Sequence, residues 1–362
     1  MLKETALVAY HKELGAKLVD FGGWNMPLNY GSQIEEHHAV RQHAGWFDVS
    51  HMCVVDLSGP DAEAYLRKLL ANDVARLKTP GKALYSAMLN DAGGVIDDLI
   101  VYRLGELFRL VVNCATREKD LAWMKTQVSG FDIVMQERDD LAMIAVQGPE
   151  ARKQLHRCID NDAPGDLSVF SGADFDGLGT QLFVARTGYT GEDGYEVLVP
   201  NAQAEALARA LTDAGVKPCG LAARDTLRLE AGMNLYGHEM DDTVSPLQAN
   251  MGWTIAWEPE ARAFIGRDVI AQEKADGVAR KLVGLILNGK GVLRAGQTVH
   301  QDGSDETGMI TSGTFSPSLG LSIALARVPA SFSGDCQVMI RQRALDASIV
   351  RPVFVRHGEK QI

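Results

Sequence analysis

The sequence predicts an α+β protein made of two related α+β units followed by a small β-barrel or sandwich. Three observations carry that expectation: β-type runs alternate with amphipathic helices, one strand–turn–helix passage occurs twice, and the texture changes after residue 280. The repeated passage is Cys53-Val54-Val55-Asp56-Leu57-Ser58-Gly59-Pro60-Asp61-Ala62 against Ala142-Met143-Ile144-Ala145-Val146-Gln147-Gly148-Pro149-Glu150-Ala151. In each, a strand runs into a Gly-Pro turn and an acidic residue opens a helix. Proline suits the first helical turn, where its missing N–H would lack a partner anyway, and an acid favours the positive end of the helix. Ala62, Tyr65, Leu66, Leu69 and Leu70 then recur at the spacing of one buried helix face. From Lys281-Leu282-Val283-Gly284-Leu285-Ile286-Leu287 onward, Gly, Ser, Pro and Thr punctuate short apolar runs, the pattern of closely spaced strands. The boundary falls near residue 278, giving regions 1–278 and 279–362.

At 362 residues the chain is too long for one typical core. A formal net charge of -11 argues against general binding of nucleic acid, which depends on Lys and Arg neutralising phosphates. No apolar run is long enough to span a membrane. The start, Met1-Leu2-Lys3-Glu4-Thr5, has neither a secretory nor a transit pattern, so a cytoplasmic location is expected. The five cysteines, Cys53, Cys114, Cys158, Cys219 and Cys336, are scattered without a CxxC pair, which predicts neither disulfides nor a metal site. The chain has no Gly-x-Gly-x-x-Gly after a strand and no P-loop, which disfavours nicotinamide, flavin and nucleoside-triphosphate chemistry.

Four segments contain residues able to carry chemistry. In Val95-Ile96-Asp97-Asp98-Leu99-Ile100-Val101-Tyr102, two adjacent carboxylates sit in an otherwise apolar strand after a Gly-Gly turn. Alternation puts Asp98 with Ile96, Ile100 and Tyr102, and Asp97 with Val95 and Leu99. Each acid is either a reactive group or a strand-end residue bonded to nearby backbone N–H. In Arg186-Thr187-Gly188-Tyr189-Thr190-Gly191-Glu192-Asp193-Gly194, three glycines shape a tight loop before a strand at Tyr195 to Val199, where Glu196 is the single charge. Glu196 either accepts paired hydrogen bonds from a guanidine-like edge or stands exposed on a half-solvated strand. A helix over Cys219 to Gly232 places Arg224 and Arg228 one turn apart. They serve either a ligand carboxylate or internal pairing with Asp225 or Glu230. Asp48-Val49-Ser50-His51 does not make a hydrolase triad, because neighbours on a strand point to opposite faces and no Gly-x-Ser-x-Gly elbow occurs. His51 is expected to be structural, and Glu35-Glu36-His37-His38 to be a helix surface.

In this order and spacing, these segments resemble the glycine-cleavage aminomethyltransferase family. The match runs over essentially the whole chain. It includes Asp20-Phe21-Gly22-Gly23-Trp24, Met26-Pro27-Leu28, Phe47-Asp48-Val49-Ser50-His51-Met52, Ile96-Asp97-Asp98-Leu99 and Arg186-Thr187-Gly188-Tyr189-Thr190-Gly191-Glu192. It continues through Ala223-Arg224-Asp225, Arg228-Leu229-Glu230-Ala231, Phe264-Ile265-Gly266-Arg267 and Ile310-Thr311-Ser312-Gly313-Thr314-Phe315-Ser316-Pro317. The resemblance implies a multi-domain cloverleaf, two α+β units around a central folate channel with a C-terminal β-barrel. It implies transfer of a methylene carbon from the aminomethyl-dihydrolipoyl arm of a lipoylated carrier, the H-protein, to tetrahydrofolate, with release of ammonia. It gives Asp98 as the catalytic acid beside the folate nitrogens and Glu196 as the partner of the pterin edge. Arg224 becomes the folate-site arginine, Tyr85, Tyr102 and Tyr189 the walls of the site, and Arg294 a residue that closes the site or guides the incoming arm. No metal or nucleotide is implied, and the family works as a monomer. Its carriers are acidic, so a local basic face around Lys3, Lys12, Lys17 and Arg294 is expected. Two other folate readings differ from this one. The demethylating flavoproteins carry a flavin domain for which this chain has no room. The iron–sulfur assembly factors carry a Lys-Gly-Cys-Tyr motif that does not occur in this sequence.

Overall fold

The computed structural model describes residues 2–362 and divides into two compact units, Met1–Leu66 with Val74–Tyr85 and Leu99–Asp225, and Arg67–Asp73 with Ser86–Asp98 and Thr226–Ile362. In the first unit a six-stranded sheet runs in the order Gly172–Gly177, Thr180–Ala185, Gly194–Pro200, Leu141–Gln147, Gly45–Asp48 and Lys217–Pro218. Its pairings are antiparallel except the last, which is parallel. One face carries Trp46, Ile144, Val146, Val184, Tyr195 and Val197 into a core closed by two helices. The helix Asn201–Asp213 buries Ala204, Leu207, Ala208 and Leu211, and Ala151–Ile159 buries Ala151, Leu155 and Ile159. These are the i, i+3, i+4, i+7 and i, i+4, i+8 stripes of amphipathic helices. Each large apolar side chain withdrawn from water contributes about 1.5–3 kcal/mol. Asp160, in a left-handed conformation at φ 51, ends the second helix.

A five-stranded sheet has the order Ala83–Leu89, Val95–Leu104, Leu107–Val112, Cys53–Ser58 and Val134–Glu137. The repeated passage of the sequence is a repeated structure. Cys53–Ser58 lies between antiparallel Leu107–Val112 and Val134–Glu137, and Leu141–Gln147 between antiparallel Gly194–Pro200 and Gly45–Asp48. A Gly-Pro turn follows each strand, leading to the helices Ala62–Leu69 and Ala151–Ile159. Both turn glycines are sterically required. Gly59 and Gly148 have φ +117 and +129, and a Cβ would lie 2.4 Å from the Asp132 carbonyl oxygen and 2.5 Å from that of His43. The helix face read from the sequence is buried throughout, with Ala62, Tyr65, Leu66, Leu69 and Leu70 at most 2% exposed.

In the second unit six strands close a barrel: Arg280–Leu287, Leu321–Pro329, Gly308–Ser316, Thr298–His300, Asp335–Ile340 and Arg343–Val350. Of the barrel or sandwich expected from the sequence, the barrel is what forms. Val283, Leu285 and Leu287 point into its core with Val299, Ile310, Ala326, Val328 and Val338. Leu282 and Ile286, on the opposite face, pack with Leu229, Leu325 and Phe354. Buried polar bonds anchor the end of the Leu221–Glu230 helix to the barrel. Arg228 pairs with Glu239 at 3.0 Å and donates to Ser312 Oγ at 2.8 Å. Glu230 accepts from the hydroxyls of Ser316 at 2.5 Å and Ser318 at 2.8 Å. Among the described residues, no helix is long and apolar enough to cross a membrane.

Candidate active site

The register of the six-stranded sheet sets Glu196 against Ala145 on one side and Ala185 on the other. Its neighbours Tyr195 and Val197 both enter the helix-packed core. Alternation therefore turns Glu196 to the opposite face. Glu196 is only 8% exposed, which rules out the solvated strand residue that the sequence left open. The Thr187 hydroxyl donates to Glu196 Oε2 at 2.6 Å, and the Tyr102 hydroxyl lies 3.1 Å from Thr187 Oγ1. Oε1 has no hydrogen-bond partner among the described residues. Burial raises the Glu196 carboxyl above its usual value, opposed by the Thr187 bond and the Arg224 charge.

The loop before this strand is held by charge and by a buried amide. Arg186 grips Asp193 with two bonds, at 2.9 and 2.7 Å. Arg41 bonds both Glu192 and the Thr190 carbonyl at 2.7 Å. Gln147 has no exposed surface and donates to the Thr187 carbonyl at 3.1 Å, while its oxygen accepts from the Thr190 hydroxyl at 2.9 Å. Gly188 crosses so close to this amide that a Cβ would lie 1.9 Å from Gln147 Oε1. The loop thus presents Tyr189, half-buried, with the Arg224 guanidinium 4.6 Å from its ring centroid. The Arg224 amide donates to the Gly220 carbonyl at 3.1 Å, while its guanidinium makes no hydrogen bond or ion pair among the described residues. Burial pulls its pKa below the usual value, against the opposing effects of Tyr189 and Glu196. The two arginines one turn apart therefore differ. Arg228, 2% exposed, is spent on Glu239 and Ser312, whereas Arg224 keeps its donors.

Of the residues singled out in the sequence, the first unit brings Tyr102 to Glu196 through Thr187 and Arg224 to Tyr189, and the charges of Arg224 and Glu196 act on each other. Tyr102 is buried, 5.2 Å from Phe183 in an edge-on contact, and burial with the Glu196 charge raises its phenol far above the usual value. Tyr85, on the Ala83–Leu89 strand, is half-buried and belongs to the same unit. Asp98 and Arg294 belong to the second unit. Asp97 has no exposed surface and Asp98 is half-buried, the opposite-face split that alternation requires. The strand carrying them starts at a fixed turn: Asn90 Oδ1 accepts from the Ala92 and Gly94 amides at 3.0 Å, and the Tyr236 hydroxyl donates to the Val95 carbonyl at 3.0 Å. Arg294 is exposed, with its amide bonded to Gln297 Oε1 at 2.9 Å.

Asp48 does not serve His51 as a triad would. Its carboxylate takes the Thr5 hydroxyl at 2.6 Å, His11 Nε2 at 2.8 Å and the Ser50 amide at 2.9 Å. His51 is 3% exposed and edge-on to Phe21 at 5.4 Å. Burial first, then the Arg224 charge, lowers its pKa to about 4, so the ring is neutral. The expected surface of the Gln33–Gln42 helix is corrected: Glu36 and His37 are fully buried. Glu36 accepts from the backbone amides of Tyr30 at 2.6 Å and Gly220 at 2.9 Å. Sequence reasoning missed Thr187 and Gln147 as parts of the site. The available signal for Gln147 was a polar side chain at the end of an apolar strand run, immediately before the Gly-Pro turn.

Two mainly antiparallel sheets with their helices and a closed six-stranded barrel define an α+β protein, in which Glu196 is a buried carboxylate with one oxygen uncommitted among the described residues. Residues 7–259 match the family model described as the GCVT N-terminal domain, and residues 280–356 match the glycine cleavage T-protein C-terminal barrel domain. The chain belongs to the glycine cleavage T-protein family. A crystal structure of glycine cleavage system aminomethyltransferase T from Bartonella henselae is similar over 100% of both chains, with 34% identity and a TM-score of 0.92. Heterotetrameric sarcosine oxidase from Corynebacterium sp. U-96 matches 47% of this chain and 83% of its own at 16% identity, with a TM-score of 0.34, too low to bear on function.

Proposed function

We propose that the chain is an aminomethyltransferase. It takes the methylene carbon from the aminomethyl-dihydrolipoyl arm of a lipoylated H-protein, with tetrahydrofolate as acceptor, and releases ammonia and methylenetetrahydrofolate. The single observation that carries the reading is a pair of uncommitted charged side chains, Glu196 buried and Arg224 half-buried. Glu196 Oε1 and the Arg224 guanidinium have no hydrogen-bond partners among the described residues, although desolvation disfavours the charge on each. A carboxylate so placed suits the amino and ring N–H donors of a pterin, because two parallel N–H···O bonds fix orientation as well as affinity. The residues therefore fit a folate. Tetrahydrofolate, when bound, supplies the nitrogen nucleophile that accepts the carbon.

The chain's own groups do the rest. Glu196 holds the pterin edge, Arg224 bonds a polar group of the same ligand, and Tyr85, Tyr102 and Tyr189 form flat walls. Asp98 hydrogen-bonds the reacting nitrogens and stabilises positive charge as ammonia leaves. Arg294 closes the site or guides the arm. The enzyme works as a cytoplasmic monomer without metal or nucleotide. Membership of the T-protein family and the likeness to the Bartonella henselae aminomethyltransferase support this reading.

The test is release of ammonia that depends on both lipoylated carrier and tetrahydrofolate. Asp98→Asn is expected to lower turnover at saturating folate roughly a hundred- to ten-thousand-fold, the range for a positioned acid–base group. Asp97→Asn, on the fully buried face, should lower the melting temperature while folded molecules keep most of their turnover. A silent assay with the wild-type protein overturns the function. Loss of turnover in folded Asp97→Asn with Asp98→Asn spared overturns the assignment of the two acids.

A further inference from the structure

We propose that Thr187 is a positioning residue whose one hydroxyl proton, directed by Tyr102, holds Glu196 as a carboxylate ready for its ligand. The inference rests on the reading of Glu196 as the ligand-binding acid and goes further, by naming the groups that keep a buried glutamate in the state that reading needs. A threonine hydroxyl has one proton to give and can accept from others. Thr187 gives its proton to Glu196 Oε2 across 2.6 Å, the length of an O–H···O⁻ bond to an ionised acceptor. The 3.1 Å contact between Thr187 Oγ1 and the Tyr102 hydroxyl must then have Tyr102 as donor. The chain therefore runs one way, from phenol to hydroxyl to carboxylate. It ends on Oε2 and leaves Oε1 for the ligand.

Each link is held in place. Tyr102 is 1% exposed and keeps its proton, because burial and the nearby Glu196 charge both oppose ionisation. The main chain of Thr187 is held by the bond from Gln147 Nε2 to its carbonyl, and Gly188 packs so close to that amide that no side chain would fit between them. The β-branched side chain further restricts the hydroxyl to few rotamers. The other charged groups bearing on the relay are Arg224, whose charge favours an ionised Glu196, and Arg109, whose charge acts on Tyr102. Burial acts on Glu196 in the opposite sense and is the largest influence on it. Without the hydroxyl, Arg224 alone would offset that burial.

The experiment follows the Glu196 carboxyl by ¹³C NMR in the ligand-free protein labelled at glutamate side chains, with the resonance assigned by its loss in Glu196→Gln. Thr187→Val, of nearly the same shape, is expected to raise the titration midpoint by about one pH unit, tenfold in the ionisation constant. Thr187→Ser should titrate close to wild type. Tyr102→Phe should move the midpoint the same way by less, and it supplies the reading should Thr187→Val not fold. A midpoint unmoved by Thr187→Val, or moved as far by Thr187→Ser, overturns the inference. Tetrahydrofolate affinity measured on the same proteins separates the two levels. If Glu196→Gln leaves affinity intact while the midpoints shift as expected, the pterin role of Glu196 falls and the relay stands.

Discussion

Burial holds the Glu196 carboxyl above its usual value even though Thr187 and Arg224 act in the other direction. A raised carboxyl binds its proton more readily in the folded protein than in the unfolded chain. Stability therefore falls as pH rises from the ordinary carboxylate range through the raised value, and stays lower above it. On the proposed reading, Glu196 is thus a residue kept for a ligand at some expense to the fold. Glu196→Gln removes the ionisation and keeps the shape, so the variant is expected to melt at a higher temperature than wild type at neutral pH. The difference should shrink as pH falls below the Glu196 midpoint. The same substitution should weaken tetrahydrofolate binding by about 1–3 kcal/mol, the range for hydrogen bonds to charged groups. Thermal unfolding across pH and a binding titration check both halves. A lower melting temperature joined to unchanged affinity would return Glu196 to a structural role.

The Leu221–Glu230 helix ends against the tail of the chain, and its stop depends on one glycine. Gly232 has φ +70, its amide bonds the Leu229 carbonyl at 3.0 Å, and the Met233 amide bonds that of Arg228 at 2.9 Å. A Cβ at Gly232 would lie 1.4 Å from the Pro352 carbonyl oxygen, a backbone atom that cannot swing aside. Gly232→Ala adds left-handed strain to overpacking and is expected to cost about 2–5 kcal/mol. The melting temperature should fall by several degrees, and an unchanged one would mean that the 352–353 segment yields freely. This terminus was legible in sequence as a helix closing on glycine, as were the buried stripe from Ala62 to Leu70 and the strands of the barrel, because periodicity and turn chemistry are local. The burial of Glu36 was not. Its partner amides are at Tyr30 and Gly220, and the second of these is 184 residues away. Thr187 was hidden for a similar reason: its meaning comes from Tyr102, which register brings to it from 85 residues earlier in the chain. Asp97 and Asp98 could be split by alternation alone, whereas the choice between exposed and buried for Glu196 required the second face of the sheet to be seen covered.

Association with a carrier is governed by charges over the surface more than by any one contact. The net charge of -11 repels an acidic partner at long range, so productive docking needs a local reversal of sign. The proposed place for it is the amino-terminal segment of the first unit. Lys3, Lys12 and Lys17 are all exposed there, and the nearby acid Glu13 is committed to Arg209, with one bond at 2.9 Å. Lys12 is only loosely opposed by Glu4, at 3.7 Å with both side chains about half exposed. Lys3 lies over the Trp24 ring at 5.7 Å, which orients its ammonium without neutralising it. Exposed charges act through solvent, and screening shortens their reach from about 10 Å at 0.1 M salt to about 3 Å at 1 M. Raising salt over that range should weaken carrier binding, mainly by slowing association. Tetrahydrofolate binding should change little, because its proposed partner Glu196 is buried. Charge reversal of Lys12 and Lys17 together should slow carrier association at low salt and flatten its salt dependence, with turnover recovering at high carrier concentration. Surface plasmon resonance with the lipoylated carrier measures the rates, and a parallel folate titration supplies the control. Carrier and folate titrations that are equally insensitive to salt would remove the amino-terminal lysines as a docking face.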